Sequence, residues 1–187
     1  MIREILKEKT FAAHQNTEGI VVRKVKEIES EADYIELLRC FYSFFNSVEN
    51  KMASFITKDI LPDIKERRNS SYILKDIQEL GGNINNLPEA VVPEITNTLE
   101  ALSALYVLEG SIMGGPYIVK MLEKRGITRA FSFFQGYGED SGRMFAIFAE
   151  VLNQYGSDKN NHERAVEVAN ETFINFGKVF HAMSPVL

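Results

Sequence analysis

The feature that most constrains the fold of this chain is a set of glycines inside a segment that otherwise predicts one long helix. Residues 105–118 read LYVLEGSIMGGPYI, with Gly110, Gly114 and Gly115 followed by Pro116. Each interior glycine costs about 1 kcal/mol relative to alanine, and proline removes a backbone donor and bends a helix. Because Gly110 and Gly114 share one face, we expect either a second helix packed on the small residues or a flat ligand lying on a bent, bare helix.

The remaining chain has helical periodicity and no sustained strand-like alternation, which predicts a single all-α domain over residues 1–187. Helices are predicted over residues 2–15, 18–28, 31–56 with Ser30 as the cap, 70–80, from Pro93 through the glycines to 126, from 140 or 141 to 155, and 160–183.

Composition excludes several functional classes. The only cysteine, Cys40, allows neither an internal disulfide nor a cysteine metal cage, and the N-terminus lacks the apolar core of a signal peptide. Apolar runs are too short for a membrane span, and no basic run exceeds two residues. We therefore expect a cytoplasmic protein that uses neither a membrane nor a nucleic acid.

Charge is unevenly distributed along the chain. Residues 1–26 contain six basic and three acidic residues, a balance of +3, which leaves −8 for the remainder of a chain whose net charge is −5. A basic end on an acidic protein indicates an anionic ligand or partner there, although a solvated face would give the same pattern.

One histidine has neighbours suited to metal chemistry. Arg3, Lys7, Thr10 and His14 follow helical spacing along one stripe, and Glu18 lies one turn beyond His14. A ligating imidazole needs its other N–H held by an acceptor, which Glu18 could supply. One histidine cannot hold a bare zinc or iron ion but suffices for heme, since the porphyrin provides four nitrogens. Lys7 lies about 10 Å from His14 by helical rise, within reach of a propionate. An ordinary helix histidine remains the alternative.

Two stretches resemble the heme oxygenase family, particularly its bacterial, biliverdin-producing members. Residues 6–18, LKEKTFAAHQNTE, are similar to the family's proximal helix, and residues 104–115, ALYVLEGSIMGG, to its distal helix. Supporting similarities are the loop 133–138 (FFQGYG) and a final helix with Phe173, Phe176 and Phe180. The resemblance implies a helical bundle with a kinked distal helix. It also implies oxidative opening of heme to biliverdin, ferrous iron and carbon monoxide, using O2 and an external electron donor such as ferredoxin, flavodoxin or a reductase.

The resemblance further implies roles for individual residues, with heme as both cofactor and substrate. His14 would ligate the iron, Glu18 would hold its second ring nitrogen, and Lys7 would pair with a propionate. Bare backbone at the distal glycines would let the reacting oxygen approach. The implied heme-binding set is Lys7, Thr10, His14, Glu18, Gly110, Gly114, Gly115 and Phe173, and the implied catalytic set is Gly110, Ser111 and Gly114.

The chain departs from the family pattern at three positions. Ser111 stands where many members carry aspartate, Pro116 where glutamine is frequent, and Phe11 where some relatives have a basic residue. The distal stretch itself contains no His, Arg or Lys. Two alternatives therefore stay open: a heme-binding or heme-transfer protein without turnover, and a non-heme relative that shares only the helical fold. The second should carry acidic or cysteine catalytic residues in the bundle centre.

Overall fold

The protein is described by a computed structural model covering residues 1–182, and these residues form helices joined by turns, without strands. The α-helices are α1 (Ile2–Lys9), α2 (Phe11–Glu27), α3 (Glu31–Met52), α4 (Ser70–Glu79), α5 (Thr98–Gly110), α6 (Gly115–Lys124), α7 (Ser141–Tyr155) and α8 (His162–Val179). A 3-10 turn at Ser111–Gly114 joins α5 to α6. The all-α prediction is confirmed, and the long helix is interrupted at the glycines. The predicted end of the last helix, residue 183, lies outside the described residues.

The central element of the bundle is α5, which packs against α8, α7 and α3. Ten of its 13 residues are buried, and these are apolar except for Glu100, Ser103 and Glu109. The segment Thr98–Lys124, which continues through the 3-10 turn into α6, is long and apolar enough to cross a membrane by length and composition alone. Half of that apolar window is buried inside the protein, as is typical of a core helix in a bundle.

The start of α5 differs from the prediction. Pro93 does not open the helix, because the chain remains non-helical up to Asn97. The side chain of Asn97 accepts a hydrogen bond from the backbone N–H of Glu100 at 3.0 Å and so caps α5. Glu100 in turn accepts from the backbone N–H and hydroxyl of Thr96, at 2.7 and 2.9 Å. The side chains of Asn97 and Glu100 therefore set the first turn of α5.

The break between the first two helices also lies elsewhere than predicted. Helix α2 runs through Asn16 and Thr17, and the interruption falls at Thr10, where φ is −99° and ψ is 1°. The Thr10 hydroxyl donates to the Leu6 carbonyl at 2.8 Å, a local bond that competes with helix continuation. Thr17 instead donates to the Phe173 carbonyl at 2.8 Å and ties α2 to α8.

A buried ion pair joins three parts of the bundle. Arg67 and Glu109 are each only 2% exposed, and Arg67 Nη1 lies 2.6 Å from Glu109 Oε2. The same guanidinium donates to both carboxylate oxygens of Asp63 at 2.8 Å and to the Met144 carbonyl at 3.0 Å. The buried guanidinium of Arg67 is therefore paired with two carboxylates, those of Asp63 and Glu109.

We expect Glu109→Leu to lower the free energy of unfolding of the apo protein by about 1–3 kcal/mol, because Arg67 Nη1 and the Tyr137 hydroxyl lose their buried acceptor while Asp63 still pairs with the guanidinium. Urea unfolding would measure the loss, provided that the slope of the unfolding free energy against urea concentration is the same in the variant and the wild type. Glu31→Leu is the matched control, since Glu31 forms an exposed pair with Arg129 and should leave the midpoint nearly unchanged. Equal midpoints for the two variants would contradict the prediction.

Candidate functional site

A cavity of about 620 Å³ lies between helices α1 and α2 on one side and the glycine-containing segment on the other. This volume falls within the range of about 300–1,000 Å³ usual for small-molecule sites. Its inner wall is almost entirely aromatic, with Phe41, Phe44, Phe45, Phe133, Phe134, Phe173 and Phe176. Its rim carries exposed apolar side chains: Phe11 is 55%, Met113 61% and Tyr117 57% exposed. The cavity can therefore admit a large apolar ligand from solvent.

The proximal wall is formed by the predicted stripe of α1 and α2. Arg3, Lys7, Thr10 and His14 all line the cavity, because the break at Thr10 does not turn the two helices away from each other. The exposed His14 ring packs against Phe173, with ring centroids 5.3 Å apart at an interplanar angle of 53°.

Glu18 also lines the cavity, on the same wall as His14. Within residues 1–182, no hydrogen bond joins the two side chains. The imidazole–carboxylate contact therefore stays a prediction about the occupied site.

The distal wall presents bare backbone to the cavity. Gly110 and Gly114 both line it, and a Cβ built at either position meets no described heavy atom within 4 Å outside the local helix backbone. A second helix packed on this face would fill that space. Of the two alternatives for the glycine face, the structure therefore favours an open surface for a ligand.

Gly115 packs against the protein interior. It is buried and is not among the residues that line the cavity. A Cβ at Gly115 would lie 2.0 Å from the carbonyl oxygen of Phe134. The loop that carries Phe134 occupies the space beside this glycine, which indicates a packing role, and the contact of Gly115 with the ligand stays a prediction. Pro116 lies in the first turn of α6, where the missing N–H removes no helix bond.

The structure brings a cation to the distal wall that the sequence analysis missed. Arg68, from the turn before α4, is 8% exposed and lines the cavity. Its Nη2 donates to the Ser111 hydroxyl at 2.9 Å and to the Leu108 carbonyl at 3.1 Å. Its Nη1 donates to the Phe133 carbonyl at 3.1 Å, and the guanidinium carbon lies 3.9 Å from the centre of the Phe133 ring.

In the sequence, the arginine pair 67–68 is the only feature that draws attention to Arg68, and no helical spacing relates Arg68 to Ser111. Burial lowers the pKa of Arg68 to about 10, although the nearby carboxylates of Glu109 and Glu49 act to raise it. The guanidinium is therefore still charged at neutral pH. The distal wall thus has an apolar and bare surface in front and a fixed positive charge behind Ser111.

Among residues 1–182, no group of three or more His, Cys, Asp and Glu side chains could hold a bare metal ion. The cavity instead combines a single histidine, two cations at its α1 end and an aromatic interior.

Comparison with known proteins gives one consistent result. The family model described as heme oxygenase matches residues 2–182. A heme oxygenase of Xanthomonas campestris pv. campestris is 26% identical over 145 residues, which cover 76% of this chain and 86% of that protein. The fold is similar to the NO- and CO-bound heme oxygenase of Neisseria meningitidis, with TM-score 0.82, 21% identity and coverage of 97% of this chain and 90% of that one. It is also similar to a heme oxygenase from Leptospira interrogans, with TM-score 0.77, 16% identity and coverage of 97% and 99%.

Proposed function

Because the chain belongs to the heme oxygenase family, we propose that the cavity binds heme and that the enzyme opens it to biliverdin, ferrous iron and carbon monoxide. The observation that supports this best is the opposition of one histidine on the proximal wall and a glycine-bare backbone on the distal wall. A single protein ligand is sufficient when a porphyrin supplies four nitrogens. Electrons would come from an external donor, with O2 as the oxidant.

The residues present fit heme as a ligand. The aromatic interior suits a flat apolar ring, and the Lys7 ammonium at the cavity edge suits a carboxylate. His14 would hold the iron, and Phe173 would fix the plane of its ring. When bound, heme supplies both the iron at which O2 is activated and the carbon skeleton that is cut.

The remaining wall residues position the ligand and control access. Gly110 and Gly114 leave room beside the reacting face, while Thr10 lines the cavity with its hydroxyl bonded to the Leu6 carbonyl. The aromatic back wall excludes bulk water. With no side chain at Gly110 or Gly114, this wall would leave the edge of a bound ring accessible.

Incubation of the purified protein with hemin and a reductant tests the proposal. Loss of the heme absorbance with formation of biliverdin supports it. A stable heme complex without product would instead indicate a heme-binding or heme-transfer protein. An unchanged heme spectrum would indicate a relative that shares only the helical fold.

We also propose a cytoplasmic protein whose electron donor is a ferredoxin, a flavodoxin or a reductase, with no membrane or nucleic acid partner. The burial of half of the apolar window in Thr98–Lys124 supports a core role for that segment. The net charge of −5 disfavours nucleic acid.

An acidic donor should dock beside the basic N-terminal segment, residues 1–26, where Lys7 and Lys9 are exposed. Because salt screens opposite charges, reduction by an acidic ferredoxin or flavodoxin should slow as ionic strength rises from about 0.01 to 0.15 M. Lys9→Glu should slow reduction at low salt, because Lys9 is exposed and does not line the cavity. Lys58→Glu makes the same charge change outside this segment and should have little effect. A salt-independent rate would contradict this docking surface.

A further inference from the structure

The hydrogen bonds of Ser111 fix the direction of its hydroxyl. A serine hydroxyl has one hydrogen and two lone pairs. Ser111 Oγ lies 2.6 Å from the Leu108 carbonyl oxygen, which can only accept, so the hydroxyl donates there. It lies 2.9 Å from Arg68 Nη2, which can only donate, so the oxygen accepts there. The remaining position around Oγ carries a lone pair, and Ser111 is half-buried at the cavity wall.

From this geometry we propose that Arg68 is a positioning residue that makes the Ser111 hydroxyl a pure hydrogen-bond acceptor toward the cavity. A water molecule that donates one hydrogen to Ser111 Oγ keeps its other hydrogen for the ligand. A carboxylate is likewise an acceptor only, so Arg68 gives this serine the hydrogen-bond polarity of a carboxylate. The catalytic consequence rests on the proposed function, because it concerns protons delivered during heme opening.

Arg68 is held too firmly to release Ser111. Its backbone N–H donates to the Tyr137 hydroxyl at 3.0 Å, and that hydroxyl donates to Glu109 at 3.0 Å. Its side chain is fixed by the Phe133 carbonyl and ring. The other charged groups around it are Arg67, paired with Glu109 and Asp63, and Glu49, which accepts from Ser70.

Arg68 also limits the rotation of the hydroxyl. The hydrogen of Ser111 cannot point at the guanidinium, because both groups would then present hydrogens. The Leu108 carbonyl accepts this hydrogen, so the one position around Ser111 Oγ that stays free carries a lone pair. Without Arg68, a water could enter beside Ser111 and accept the hydroxyl hydrogen, so the orientation would no longer be unique.

A double-mutant cycle on Arg68→Met and Ser111→Ala tests the proposal, because a residue that acts through another shows non-additive effects. In the apo protein, the two changes should be coupled by about tenfold or more in the unfolding equilibrium constant, as expected for a hydrogen bond to a charged group. This measurement does not depend on heme.

In the heme complex, each single variant should lower the rate of biliverdin formation by about tenfold or more, since a positioned proton donor contributes at least this much. Arg68→Met should have no further effect in the Ser111→Ala background. The C–O stretching frequency of the ferrous carbon monoxide complex should rise by the same amount in both single variants, because each loses the donor water. If Arg68→Met does not fold, Arg68→Lys replaces it, since an ammonium keeps the charge but lacks the two nitrogens with which the guanidinium bonds Phe133 on one side and Ser111 on the other.

The outcomes separate two failures. If the wild-type protein binds no heme or yields no biliverdin, the proposed function fails. If the wild type is active but Arg68→Met lowers the rate by the same factor in both backgrounds, Arg68 acts through charge or packing, and the positioning role is overturned. Additive effects of Arg68→Met and Ser111→Ala on the stability of the apo protein would also overturn the positioning role, whatever the activity shows.

Discussion

Replacing His14 with alanine should remove nearly all biliverdin formation together with the spectrum of a histidine-ligated heme. His14 is the one histidine that lines the cavity among the described residues. Its ring is exposed in the apo protein, and alanine is a better helix former than histidine, so apo stability should not fall. The loss would therefore report ligation and not unfolding.

Hemin titration and single-turnover product yield measure the effect. His181→Ala is the matched control, because His181 is exposed and outside the cavity, and it should behave as wild type. Added imidazole should partly restore the ligand spectrum of His14→Ala by occupying the space left by the side chain. Ferric and ferrous carbon monoxide spectra identical to wild type would show that another residue ligates the iron.

Gly114→Leu should abolish biliverdin formation while leaving the apo protein about as stable as wild type. Gly114 has φ −83° and ψ −15°, which any residue adopts, and no described neighbour lies within 4 Å of its Cβ position. Replacing a helical glycine then tends to stabilise, by roughly 0.4–1 kcal/mol for alanine. The leucine side chain would enter the cavity and block the distal face, although His14 could still bind heme.

Gly115→Leu provides the matched comparison on the next residue. Its Cβ would meet the Phe134 carbonyl at 2.0 Å, so overpacking should cost about 1–3 kcal/mol or more. Thermal melts of the two apo proteins and product yield per bound heme distinguish the roles. A destabilised Gly114→Leu with normal yield would return Gly114 to a packing role.

Several features could be predicted from the sequence because they are local. Helical periodicity predicts the all-α class, and spacing along one face predicts a common wall for Lys7, Thr10 and His14, which the break at Thr10 leaves intact. The four-residue separation of Gly110 and Gly114 likewise predicts that they lie on the same face of the helix. These properties depend on residues only a few positions apart, which the geometry of a helix fixes without reference to the rest of the chain.

Other features were decided only by tertiary contacts. The sequence did not distinguish Gly114 from Gly115, because the difference is the carbonyl of Phe134, which the aromatic loop brings against one and not the other. It gave no indication that Arg68 would reach Ser111, 43 residues away, and supply a cation to a stretch that has none of its own. Helical periods constrain neighbours along the chain, whereas close packing in the folded bundle determines which distant groups share a wall.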